Sequence, residues 1–503
     1  MKECIEIAYK CMTKHQILRI IPFLFALLLT TACTERVEHA TEAGSQPPIY
    51  PDYIGVTIPA ELAPLNFDVM MKGCRKVDVT ITGSKGGSLH TQGVFAHFDP
   101  KEWHALTAQN RGGTLHVEVC AKGERWTRFE PFEILVSCDP LPDYGLTYRR
   151  IQPGYEVGGN ISICQRELGS YREVKLMSET ALPGRCFNCH TANRTNPSQL
   201  TLQVRGALGG TLVQKEGVQR WYDTHTPETK AAGSYAYWHP EGRYCAYATN
   251  SVHQSFFVRP EGRIEVYHKF SDIVVLDTER DELLRPGLLS TEWLEIFPAF
   301  AADGHRIYFS TSAPCNVPVE YEQVKCSLCA IDFDAATGRF GQQVDTLLHG
   351  LKDNCSYVLA RPSYDGRWLM LCKADRGNFP VCRETSDLCI LDLQRGIVRS
   401  MDEVNSPTSE SYHNWSSNSR WFVFSSKREN SLQSWAYLAH IDDEGRASKP
   451  LLLPQRRPLL YYNKEADSFN CPDFTLTPVA LDQRKAFDEL FYGERRQVKV
   501  KNQ

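Results

Sequence analysis

The stretches AYWHPEGRYCAYATN (236–250), PAFAADGHRIYFSTS (298–312), RPSYDGRWLMLCKAD (361–375) and HNWSSNSRWFVFSSK (413–427) follow one plan. An aromatic residue or a proline comes first, then a tight turn, then an apolar strand ending in small polar residues. The turn positions Gly242, Gly304, Gly366 and Ser419 line up at intervals of 62, 62 and 53 residues. Each unit is followed by a further strand: DIVVLD (272–277), SLCAIDFD (327–334), DLCILDL (387–393) and WAYLAHIDDEG (435–445). Turn residues at fixed offsets between β runs, repeated at such a period, predict the blades of a β-propeller. Radial closure leaves few exposed edges, so four recognisable blades predict others that are degenerate. LTLQVRGALGGTLVQ (200–214) and PLLLPQ (450–455) offer strands for them. The expectation is a mainly β chain whose propeller, of about six blades, spans 233–475.

Upstream, residues 51–150 hold NFDVMM (66–71), KVDVTITG (76–83), LHVEVC (115–120) and FEILVSC (132–138), short alternating or β-branched runs split by Gly-rich breaks. DPKEWHALTAQN (99–110) reads as one helix capped by Asp99 or its neighbour. A small β-sandwich-like domain is expected there. His104 and His116 fit surface or satisfied roles. Residues 476–503 form a C-terminal tail. Its QRKAFDELF (483–491) reads as a solvated helix before a basic end.

Between these parts lies CFNCH (186–190), of the form Cys-x-x-Cys-His. In an exported chain that pattern reads as a c-type haem attachment site. Thiols Cys186 and Cys189 add across vinyl groups on one porphyrin edge, and His190 reaches the iron from the proximal side. A chance match, a redox pair or half a zinc site are the other readings. A second Cys-x-x-Cys, Cys326 to Cys329, is followed by Ala330 and lacks the ligand. The surrounding span 151–232 is poor in periodicity and is expected to be a loop-rich haem segment packed on a neighbour. Distal ligand candidates are His225, His239 and Met177.

The first residues read as an address. Lys14, His15 and Arg19 precede an apolar run, Ile20 to Leu29. Thr30, Thr31 and Ala32 then lead into Cys33, as at a lipoprotein cleavage site. The lipobox is imperfect, with Thr30 where Leu is usual. Met12 gives a signal of more ordinary length. The expectation is a signal peptide over 1–33, a lipid anchor on Cys33, a polar tether over 34–50, and a body held on a membrane of the cell envelope, facing the periplasm or the exterior. No later stretch is long and apolar enough for a membrane helix. A formal charge of −4 carries no signature of nucleic-acid binding.

Of 18 cysteines, Cys120, Cys245 and Cys372 stand where an apolar strand residue would serve, and read as buried thiols acting as small hydrophobes. Cys382 with Cys389, and Cys315 with Cys326, are candidate bridges. No Ser-His-Asp spacing, HExxH or phosphate loop is present. His239, His413, Asp303 and Asp365 draw notice, but the two aspartates sit in repeat turns that they serve directly.

The repeat unit resembles the TolB-type repeat, roughly W-S-P-D-G-x-x-I-x-F, most closely in WHPEGRYCAY (238–247), FAADGHRIYF (300–309) and WSSNSRWFVF (415–424). More specifically, the chain resembles exported TolB-like or "cytochrome c biosynthesis-like" lipoproteins of Gram-negative anaerobes. The carrying segments are YPDYIGVTIPAELAPLNF (50–67), IQPGYEVGGNISICQREL (151–168), CFNCH, RGALGGT (205–211) and DEVNSPTSESYHNWSSNSRWFVFSSKR (402–428). The resemblance implies a propeller lipoprotein with one covalent haem c. No Trp-rich membrane segment supports a role in cytochrome biosynthesis. The leading expectation is electron transfer through that haem to an envelope redox partner, ahead of an enzyme that uses the haem or a propeller-face acid–base set. The alternative is a propeller scaffold that binds a protein or glycan partner, with haem structural or absent.

Overall fold

The computed structural model describes residues 35–153, 161–178, 186–206, 209–256 and 264–503. The stretch read as a signal peptide, with Cys33, lies outside the described residues, as does the side chain of Cys189. The architecture is mainly β and of the propeller type.

The N-terminal module is one seven-stranded sheet under one helix. Lys76–Gly83 alternates strictly, burying Val77, Val79 and Ile81 on one face. Such a sheet needs a single apolar cover. Helix α1 (Pro100–Gln109) contributes to it with Trp103 and Leu106, joined by Tyr53, Val56, Leu62 and Phe67. Asp99 caps α1 by accepting from the Lys101 and Glu102 amides. A facing sheet is replaced by this helix and by a two-stranded ribbon, Ile49–Tyr50 with Asp68–Val69, so the module is not the expected sandwich. The stretch read as a tether also docks here. Thr41–Glu42 pairs with Trp126–Arg128, and the Glu35 carboxylate meets Lys76 and Lys122.

Six further sheets of four or five strands follow. Their inner strands are β1 (Phe187–Asn193), β2 (Gly233–Trp238), β3 (Leu294–Phe300), β4 (Ser356–Pro362), β5 (Glu410–Trp415) and β6 (Ser468–Thr475); we number the sheets I to VI after them. Each inner strand contacts the next, and β6 contacts β1. Sheet VI joins the two ends of this body, because β6 pairs antiparallel with Gly145–Ile151, which leads on to Ser162–Glu167 and Glu173–Ser178. The module packs on sheet V, where Trp421 Nε1 donates to Asp139 O and the Ser417 amide donates to Asp143 Oδ2.

The span 151–232, read as loop-rich, is built from strands of sheets VI and I. Ser162–Arg166 and Leu200–Val204 are buried throughout. A strand buried on both faces loses the period-2 signal, which is why the sequence looked irregular. The C-terminal segment also differs from expectation. Helix α3 (Gln483–Tyr492) buries Ala486, Phe487 and Leu490 beside Phe187 and Trp221, and Arg496–Gln497 and Lys499–Asn502 add parallel outer strands to sheets I and II.

A bulge recurs in all six inner strands. Two residues oppose one at Cys189–His190, Tyr235–Ala236, Phe297–Pro298, Leu359–Ala360, Tyr412–His413 and Cys471–Pro472. The first residue has positive φ at Tyr235 (50°), Phe297 (57°), Leu359 (57°), Tyr412 (48°) and Cys471 (52°). Left-handed non-glycine backbone costs on the order of 1–3 kcal/mol per residue, so packing must offset it. Tyr235 lies edge-on to Phe297 at 4.7 Å, and Phe379 sits 6.2 Å from Phe297 and 6.3 Å from Tyr412. The bulges thus turn large side chains toward one aromatic cluster shared by sheets II to V.

Cys245, Cys372 and Cys120 are buried thiols. Cys326 and Cys389 are free thiols as well, so neither candidate bridge forms. The Cys326 thiol instead donates to Gly377 O at 3.8 Å. Among the described residues no helix is long and apolar enough to cross a membrane.

Candidate functional site

The CFNCH stretch enters and forms the inner strand of sheet I. Cys186 is half-buried just before β1, against a cluster that contains Met177, Phe187 and Val204. His190 is 4% exposed, and among the described residues neither ring nitrogen makes a well-formed hydrogen bond. Burial pushes its pKa down to about 4, the nearby Arg149 charge acts in the same direction, and the Thr147 backbone opposes them. His190 is therefore a neutral imidazole at pH 7. Its place, second in the bulge, is the place that His413 takes in β5. His413 is buried too, 3.0 Å from Met370 O through Nε2 and 3.8 Å from Cys372 Sγ through Nδ1.

A covalent haem needs both thiols on one porphyrin edge with the imidazole beneath it. The strand that carries CFNCH is extended, and at about 3.3 Å per residue the backbones of residues 186 and 189 lie up to about 10 Å apart. Cys186 is already packed against filled apolar core. In this arrangement the motif residues do not fit a c-type haem. The distal candidates are also scattered. Met177 is core in sheet VI. His225 is exposed on the connector between sheets I and II. His239 sits in the first turn of sheet II, where its Nδ1 accepts from the Glu241 amide and its ring packs 5.0 Å from Phe300. None of the three shares a hydrogen bond or ring contact with His190. Asp303 and Asp365 cap their own turns, accepting from the His305 and Arg367 amides.

The position just after each bulge is Thr191, Tyr237, Ala299, Arg361, Asn414 or Asp473. Here the inner strands bring polar groups together. Asp473 is buried. It accepts from Thr191 Oγ1 (3.2 Å) and the Ala192 amide (3.0 Å) through Oδ2, and from Asn414 Nδ2 (2.6 Å) through Oδ1. Burial raises its pKa to about 6 despite these bonds and the Arg361 charge. The Arg361 guanidinium lies over the Tyr237 ring at 5.2 Å, and Arg194 over Tyr364 at 5.3 Å. Arg194 Nη2 also donates to Tyr364 O at 2.7 Å. Desolvation pushes Tyr237 up to about 12, so both phenols stay neutral. Neither arginine forms an ion pair among the described residues, and both are only half-buried. Two ring-backed guanidinium forks thus lie where the inner strands converge, with the Arg361 charge acting on a hydrogen-bonded carboxyl. The sequence signal was the register of the bulge: Asp473 follows Pro472 as Asn414 follows His413.

Among the described residues no group of three or more His, Cys, Asp or Glu could hold a metal ion. No protein-family model matches the chain, and no curated protein matches it. Solved structures with a similar chain path include oligogalacturonate lyase in complex with manganese, at 12% identity over 61% of this chain and 72% of that one, with a TM-score of 0.34. Oligogalacturonate lyase from Vibrio parahaemolyticus is similar at 8% identity over 60% of this chain and 92% of that one, with a TM-score of 0.32. The tricorn protease is similar at 12% identity, 67% and 34% coverage, and a TM-score of 0.34.

Proposed function

We infer that this protein is a non-catalytic binding propeller of the TolB-like kind. Its six sheets are six blades closed through β6, and it engages a carboxylate-bearing protein or glycan partner at the axial arginines. In this reading the Cys33 anchor holds it at an envelope membrane. The observation that carries the reading is the pairing of Arg361 with Tyr237 and of Arg194 with Tyr364. A planar guanidinium backed by an aromatic face keeps its fork oriented for bidentate contact with a carboxylate. Wild type and Arg361→Ala are to be compared on an array of acidic and neutral oligosaccharides and free-carboxylate peptides. Acidic members are expected to bind wild type and to lose about tenfold in affinity with the variant, the scale of one charge-assisted bond. Equal binding by both proteins removes the axial site.

The electron-transfer reading keeps one favourable observation, the His190 ring nitrogens that make no well-formed hydrogen bond among the described residues. Co-expression with a cytochrome c maturation system separates the readings. The binding reading expects no haem stain on the denatured chain. A haem that survives denaturation in wild type and is lost in Cys186→Ala with Cys189→Ala restores the cytochrome.

A further inference from the structure

A cleft of about 920 Å³ opens where the N-terminal module meets sheet VI and helix α2 (Pro458–Lys464). That volume lies within the range of about 300–1,000 Å³ usual for small-molecule sites. Its carboxylates are already engaged. Glu465 pairs with Arg150 at 2.7 Å, while Glu173 and Asp467 approach the same guanidinium at 2.9 and 3.2 Å. Asp99 caps α1. The cations are not engaged in the same way. Arg172, Arg456, Arg457 and Lys464 line the cleft, are exposed, and form no ion pair among the described residues. Arg457 is positioned over the Phe95 ring at 5.3 Å. Two donors complete the wall. Gln455 is 5% exposed, and among the described residues its Nε2 makes no well-formed hydrogen bond, although its amide stands near the Tyr462 hydroxyl; the buried Oη of Tyr461 has no partner among the described residues.

The cleft therefore presents positive charge and unused donors, and a buried donor without a partner is a costly thing to keep. A ligand that satisfies it must bring acceptors and negative charge. We propose that this cleft binds a small polyanion, a molecule carrying two or more phosphate or carboxylate groups. The site is separate from the axial arginines and stands whether or not they bind a partner.

Calorimetry on the full chain at low salt tests it with pyrophosphate and citrate as probes. At least one is expected to bind with micromolar affinity, weakening as salt screens the charges. Pyrophosphate alone points to a phosphorylated ligand, citrate alone to a polycarboxylate, and both to a site that reads charge. The double substitution Arg456→Gln with Arg457→Gln is expected to lower affinity by about tenfold per charge removed, and Lys464→Gln to act in the same direction. These side chains are exposed, so the fold is expected to tolerate the changes. Arg484→Gln with Lys485→Gln, on the exposed face of α3, is expected to leave binding unchanged. Failure of both probes to bind, or wild-type affinity in the Arg456/Arg457 double variant, overturns the proposal.

Discussion

Phe469→Ala is expected to destabilise the protein by about 3–5 kcal/mol, the range for deleting a well-packed buried aromatic side chain. Phe469 is fully buried on β6, stacked on Tyr148 at 4.8 Å with a 15° interplanar angle, and capped by the Arg150 guanidinium at 5.4 Å. Its backbone also ties the strand to sheet V. The amide donates to Ser434 O, and the carbonyl accepts from Ser425 Oγ. The register sets Phe469 opposite Arg150, on the pair of strands that ties residue 145 to residue 475. Losing this aromatic ring loosens sheet VI, whose inner strand comes from far along the chain. Hydrogen exchange is expected to show Gly145–Ile151 and β6 losing protection before sheets III and IV, and urea unfolding is expected to show the lower midpoint. A loss below about 1 kcal/mol, the scale of an ordinary surface substitution, or uniform loss of protection, would mean that sheet VI does not limit the stability of the fold.

The pairing of β6 with Gly145–Ile151 was the part of the fold the sequence hid. Sheets II to V were legible because their first turns demand an unusual backbone. Gly242, Gly304 and Gly366 have φ of 74°, 77° and 74°, and Ser419 has 58° at the same place. Sheet I has only Arg194 and Thr195 between its first two strands, so it lacks the motif. Sheet VI takes its inner strand from more than 300 residues away. Both also bury consecutive residues, which erases alternation. The structural place of CFNCH was hidden for a related reason. A motif is read along the chain as if its spacing were local chemistry, whereas here His190 holds a position fixed by a bulge that recurs in every inner strand. The axial site was illegible for the same reason. Asp473, Arg361 and Arg194 are distant in sequence and gain meaning only when the six bulges are aligned. Cys120, Cys245 and Cys372 were legible, since a thiol in an apolar run needs only volume and burial to explain it.

His413 gives the other large expected effect, a pH dependence of stability. Burial, with the Arg361 charge acting the same way, lowers its pKa to about 3, against the 6.5 of a free imidazole. A group whose folded pKa is depressed binds its proton more readily in the unfolded chain. Its contribution to stability is therefore complete above pH 6.5 and is lost as the pH falls from 6.5 toward 3. The loss approaches about 1.4 kcal/mol per pH unit, or up to about 2.7 kcal/mol between pH 6.5 and 4.5. His190 and His268, lowered by burial to about 4 and about 3, act in the same direction. Glu295 and Asp473, raised by burial to about 7 and about 6, act in the opposite one, since they hold protons more tightly when folded. The overall curve is thus a sum of opposed groups, and the difference between wild type and His413→Gln isolates one of them. Glutamine has an amide that can replace the bond from Nε2 to Met370 O and has no proton to gain in this range. The variant is expected to be somewhat less stable at pH 7.5 and to close the gap with wild type, or overtake it, as the pH falls to 4.5. Urea midpoints at half-unit steps of pH measure this. Parallel curves for the two proteins would show that His413 is protonated equally easily in both states, and that its burial does not hold it neutral.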